Sequence, residues 1–188
     1  MTARVVGSLF ITATAAGVVS VATQGTARGA MVFVMAVAIT FIAPALFPVL
    51  QRHGEGMAMG YVVARTLEVV FLMSAVAPIA RVHVDEVWGH ASAIYFCAGA
   101  VLLNVLLFRS RLVPRWISVW ALVAVVPYLA GAVLVLFGVL SQTQAGALFV
   151  PLALNEMVLA VWLLTRGLSS PSGPDVREHR QPGRVEAQ

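Results

Sequence analysis

The chain has no lysine: all 12 of its positive side chains are arginine. It has a single cysteine, Cys97, and only 11% of its 188 residues are charged. One cysteine excludes an intrachain disulfide and a cysteine-rich metal cluster. So little charge is close to half that of an ordinary soluble domain, and it leaves too few polar side chains to cover a water-facing surface. The calculated pI near 10.2 does not signal nucleic-acid binding, because the arginines sit at the ends of apolar runs, as membrane anchors do. No phosphate-binding glycine loop, nucleophile–base pair or H-E-x-x-H signature occurs, so no catalytic residue, cofactor or metal is expected. The missing lysine, together with abundant Ala, Val and Gly, reads as the codon bias of a GC-rich bacterial genome.

What the chain has is hydrophobicity, at 60% of residues. Six stretches are long enough to cross roughly 30 Å of hydrocarbon as helices: Val5–Thr23, Met31–Leu50, Met57–Ala80, Gly89–Phe108, Trp116–Leu140 and Ala145–Thr165. They predict an all-α fold, a polytopic integral membrane bundle of six transmembrane helices over residues 1–167. Short connections at Gln24–Ala30, Gln51–Gly56 and Ser141–Gln144 carry the Gly, Gln, Thr and charge that end an apolar run. Residues 168–188, rich in Ser, Pro, Gly and charge, are expected to form a disordered cytoplasmic tail.

Orientation follows the arginines. With the N-terminus inside, nine (Arg4, Arg52, Arg109, Arg111, Arg115, Arg166, Arg177, Arg180 and Arg184) lie on the cytoplasmic side and only two, Arg28 and Arg81, outside. Both termini are then cytoplasmic, in a bacterial inner membrane. Trp88 fits the outer interface, and Trp116 and Trp162 the inner one. The first stretch has a signal-peptide flavour, with Arg4 ahead of small residues at Ala13, Ala15 and Ala16. Its apolar run outlasts a usual signal core, which favours a retained helix.

Charge at membrane depth costs roughly 2.5–3.5 kcal/mol per group on insertion scales, yet Arg65, Glu68, Asn155 and Glu156 lie inside two of the stretches. Arg65 and Glu68 are three apart, share a helical face and can pair. Tyr61 lies one turn before Arg65. At 1.5 Å per residue, Arg65 and Glu156 fall at roughly 12 and 14 Å from the inner end, so Arg65, Glu68 and Glu156 are expected to meet in one layer. Asn155 would close the hydrogen bonds that the ion pair leaves open, and Tyr128 falls at a similar depth. One arginine between two carboxylates is either a structural clamp or a polar cavity that binds a ligand, moves a proton or does acid–base chemistry with a carboxylate. Prolines at 44, 48, 78, 127 and 151 interrupt the stretches, as suits a cavity but is also common in membrane helices.

Four further features stand out. His83, Asp85, Glu86 and His90 crowd the outer loop without a standard metal spacing, and a solvated loop is the better reading. Arg109, Arg111 and Arg115 make a dense basic turn suited to anionic lipid headgroups. Ala13 and Gly17, one turn apart, offer a small-residue face for helix contact. A faint likeness between the two halves around Glu68 and Glu156 is too short to establish an inverted repeat.

Four stretches carry a resemblance: Ala45–Leu46–Phe47–Pro48–Val49–Leu50–Gln51–Arg52–His53–Gly54–Glu55–Gly56; Gly60–Tyr61 running to Arg65 and Glu68; Arg109–Ser110–Arg111–Leu112–Val113–Pro114–Arg115–Trp116; and Pro151–Leu152–Ala153–Leu154–Asn155–Glu156–Met157. In combination the chain resembles, from about Val5 to Gly167, the bacterial membrane family catalogued as domain of unknown function 4386. The resemblance implies a polytopic inner-membrane protein and supplies neither an activity nor a catalytic residue. The leading expectation is therefore binding or transport of a small polar, anionic or lipid-like ligand at the buried cluster. Transport by so small a chain would call for a homo-oligomer. The alternative is a structural or assembly subunit of a membrane-protein complex. The bilayer and its anionic headgroups are the expected partners in either case.

Overall fold

A computed structural model describes residues 2–74 and 84–168, with side-chain surroundings for all of these except 84–90, 142 and 143. The expected cluster at His83, Asp85, Glu86 and His90, along with Arg81, Trp88 and the tail from 169, lies outside the described residues or side chains. The described chain is all helix and turn: α1 (Thr2–Ala22), α2 (Gly25–Ser74), α3 (Val84–Ser110), α4 (Arg115–Leu136) and α5 (Gln142–Thr165). All five contain a stretch long and apolar enough to cross a membrane.

α2 is 50 residues long, but it is not one rod. Gly54 has φ 156° and ψ 89°, and the helix breaks there. That backbone conformation is open to glycine and strained for any residue with a Cβ. The arms 25–53 and 55–74 fold back on each other about this residue. Ile39 packs with Val69 and Leu72, Leu50 and Ala58 share one core cluster, and Ala43 and Pro44 border a cleft with Arg65 and Thr66. The expected Gln51–Gly56 connection is thus a single-residue break. The expected Gln24–Ala30 loop shrinks in the same way to Thr23 and Gln24. In a bilayer a backbone group without a partner costs several kcal/mol, and the chain stays helical through Thr26, Arg28 and Gly29. α5 begins at Gln142 because Ser141 and Gln144 form a reciprocal capping box, which satisfies two otherwise orphaned donors.

The helices form a closed ring. Each packs against its neighbours in the chain, and α1 closes on α5. Small residues allow the close approaches, as expected where lipid supplies no hydrophobic drive and packing holds helices together. A Cβ on Gly7 of α1 would lie 2.8 Å from the Ala160 carbonyl oxygen of α5. A Cβ on Gly99 of α3 would lie 3.1 Å from Cδ of Arg65. Ala13 and Gly17 are spent inside the ring. Ala13 is buried with Ala38 and Ile39, and Gly17 faces the Met35 sulfur. The expected small-residue contact face is thus used within the chain, against α2.

One end of the ring is sealed by the largest core cluster, drawn from every helix: Val6 and Phe10, Leu50, Leu106, Ile117 and Leu163 among others. The start of α1, the Gly54 break, the 111–114 turn and the end of α5 meet there, and with them Arg4, Arg52, Arg109, Arg111, Arg115 and Arg166. In the 111–114 turn Leu112 and Val113 plug the core while Arg109, Arg111 and Arg115 stay exposed. The Arg115 guanidinium lies 5.0 Å from the Phe108 ring centroid.

Candidate functional site

The ring's axis is polar where its helices bring the buried charges together. In the second arm of α2, Arg65 Nη1 donates to Glu68 Oε2 at 2.8 Å. Both side chains are buried. The pair sits on one turn of one helix, so it ties no two helices to each other. Arg65 reaches its neighbour otherwise: its guanidinium lies 5.4 Å from the ring centroid of Phe96 on α3, a cation–π geometry. Gly99 makes room for the arginine stem.

Glu156 on α5 is partly exposed. No hydrogen bond or ion pair links it to another described residue. The expected salt bridge from Arg65 to both carboxylates is therefore made to Glu68 alone, because Arg65 meets its own-helix partner first. Asn155 also departs from expectation. Its amide nitrogen donates to the Ile117 carbonyl of α4 at 2.8 Å, so it fastens α4 to α5 and does not complete the ion pair. Fully buried, it has traded water for this one interhelical bond.

Two cavities meet at Glu156. Towards the arginine-poor end lies a vestibule of about 350 Å3. Glu68, Glu156, Tyr128 and Phe96 form its floor, and Ala13, Gly17 and Val21 of α1 line its wall. Tyr128 is held by an edge-on contact with Phe96, centroids 6.0 Å apart, and a tilted one with Phe149 at 5.0 Å. On the sealed side lies a much smaller space of about 10 Å3, lined by Tyr61, Arg65, Asn104, Asn155 and Glu156 among apolar neighbours. The residues expected in one layer do share these two spaces: Arg65, Tyr61 and Asn155 border the small one, Glu68 and Tyr128 the large one, and Glu156 both.

Asn104 was not singled out from the sequence. It is a lone amide in an apolar stretch, and its nitrogen donates to the Ala100 carbonyl of its own helix at 2.8 Å. The available signal was the membrane cost of any amide within a span, which would have put it beside Asn155. Of the prolines, Pro44 borders a cleft of about 110 Å3 next to Arg65, whereas Pro127 and Pro151 face outwards and shape neither cavity directly. No group of three metal-ligating side chains occurs among the described residues.

No curated protein and no solved structure matches the chain. A family model does match, over residues 79–167, which hold Asn104, Asn155, Glu156 and two of the four stretches behind the resemblance. Arg65 and Glu68 precede the match. The family so matched is the domain of unknown function DUF4386, the same family that the sequence motifs resemble.

Proposed function

We propose that this is a six-span protein of a bacterial inner membrane, with both termini cytoplasmic, that binds a small ligand in the vestibule and transports it when assembled as a dimer. The two arms of α2 count as two spans, since 50 residues at 1.5 Å each make about 75 Å, more than twice the hydrocarbon thickness. The gathering of six arginines at the sealed end supports a cytoplasmic placement of that end.

The observation that carries the functional reading is the vestibule of about 350 Å3 lined by Glu68, Glu156 and Tyr128. Its size suits a small molecule or the head of a lipid. Carboxylates, not the guanidinium, line it, so a cationic or neutral polar head fits better than the anionic group first expected. Glu156 is the natural counter-group, because Glu68 already has Arg65. Asn155 and Tyr61 act from behind, by fixing α5 and flanking Arg65. The clamp reading is weakened by the same geometry: an ion pair within one helical turn locks no helix against another.

The test is native mass spectrometry of the gently solubilised protein, wild type beside Glu156→Gln and Arg65→Met. A retained small molecule or lipid that Glu156→Gln loses supports the reading. No adduct in the wild type, with a co-purifying membrane protein instead, overturns it in favour of an assembly subunit.

A further inference from the structure

Three buried polar atoms in the ring find no partner among the described residues, and the residues that carry them line one space. They are the Tyr61 hydroxyl, Nε of Arg65 and Oδ1 of Asn104. Their residues are 1%, 4% and 4% exposed. Leaving such groups unsatisfied is costly in any protein interior, and costlier in a bilayer, where water does not reach. They come from two helices, with Tyr61 and Arg65 one turn apart on α2 and Asn104 facing them from α3. The fourth polar wall is the partly exposed Glu156, to which no described residue hydrogen-bonds.

The chemistry of the four groups is complementary around one point. Arg65 Nε–H and the Tyr61 hydroxyl donate, while Asn104 Oδ1 and the Glu156 carboxylate accept. A water molecule accepts two hydrogen bonds and donates two. The space of about 10 Å3 is about what a single water needs and is too small for a second. We propose that this is a site for one ordered water, which accepts from Arg65 and Tyr61 and donates to Asn104 and Glu156. Arg65 then serves two carboxylates after all: Glu68 directly through Nη1, and Glu156 through the water on Nε. The vestibule-facing acid is thereby wired to the buried ion pair, so that a ligand arriving at Glu156 is felt at Arg65. The site stands on the ring's geometry and does not depend on the ligand proposed above; failure to find a ligand leaves it intact.

The test is a stability cycle on the full-length protein in detergent, with Tyr61→Phe, Asn104→Leu and the double variant, read as unfolding midpoints. A water shared by the two residues predicts that each single variant lowers the midpoint. The double should then fall little below the worse single, since the water is lost only once. A midpoint raised or unchanged in Tyr61→Phe, or strictly additive losses, overturns the proposal, because removing a truly unpartnered hydroxyl relieves strain. Infrared difference spectra guard against a cycle spoiled by misfolding. The wild type should show a narrow water-stretching band that shifts in H2(18)O, disappears in Tyr61→Phe and moves in Glu156→Gln. Absence of that band in the wild type overturns the site, and a band indifferent to Glu156→Gln removes the link to the acid.

Discussion

Replacing the buried pair whole should cost far less than breaking it. Arg65 and Glu68 are both at most 7% exposed at the side chain and joined at 2.8 Å. Removing one partner strands the other in a medium that solvates it poorly. Arg65→Met leaves a carboxylate, and Glu68→Leu leaves a guanidinium with only the Phe96 ring 5.4 Å away. Each single change should cost about 3 kcal/mol, the lower end for breaking a buried pair. The double variant loses no tie between helices through the ion pair itself, because both residues lie on one turn. What it loses is the cation–π contact with Phe96, worth about 1–2 kcal/mol where it is desolvated. Independent effects would give about 6 kcal/mol, so the cycle should show a coupling of about 4–5 kcal/mol. Cys97 is a built-in reporter: it is the sole cysteine and is 1% exposed, so alkylation marks opened molecules. The measurement is the rate of Cys97 modification against denaturing detergent for the four proteins. A double variant as damaged as the sum of the singles would refute the reasoning and show that Arg65 holds the helices together by other means.

Other perturbations have equally definite outcomes. Gly54→Ala forces a Cβ into a glycine-only conformation, 3.2 Å from side-chain carbons of Leu106 and Met57; it should destabilise by about 1–3 kcal/mol in an unfolding titration. Gly7→Val should cost about 1–3 kcal/mol by overpacking α1 against the Ala160 carbonyl, while the same change at Gly56, which has nothing within 4 Å of its Cβ, serves as the control. Asn155→Leu removes the bond to Ile117 and should cost about 0.6–1.7 kcal/mol, the span measured for interhelical bonds in membranes. Replacing Arg109, Arg111 and Arg115 by Gln should weaken retention of anionic lipid by about 1 kcal/mol per arginine, measured at low salt and vanishing as salt rises.

The sequence was most legible where physics is local. Apolar runs marked every helix, and a three-residue spacing was enough to pair Arg65 with Glu68. It was misleading where loop rules made for water were applied in lipid. Thr26, Arg28 and Gly29 are helical, and Gly54 alone makes the turn expected of six residues. It was silent where partners come from elsewhere in the chain. Nothing near Asn155 says that its amide will find Ile117, 38 residues away. Asn104 looked like filler in an apolar run until α2 set Tyr61 and Arg65 opposite it. Depth along the helices placed Glu156 in the right layer, but depth does not give azimuth, and azimuth left Glu156 facing the vestibule without an ion pair.

The placement of both members of the ion pair on one arm of α2 matters before the ring exists. A span that enters the bilayer with a lone arginine or a lone glutamate bears the full insertion penalty of about 2.5–3.5 kcal/mol, and it has to wait for another helix to relieve it. Here the counter-charge is three residues away and is in place as soon as one helical turn forms. The arm can therefore cross as a nearly neutral unit. Its hairpin partner, joined through the single break at Gly54, needs no long search to find it. Glu156 has no such companion in its own helix. Its span is the one whose insertion is expected to depend on the helices already assembled, which makes the order of synthesis, with Arg65 made first and Glu156 last, a favourable one.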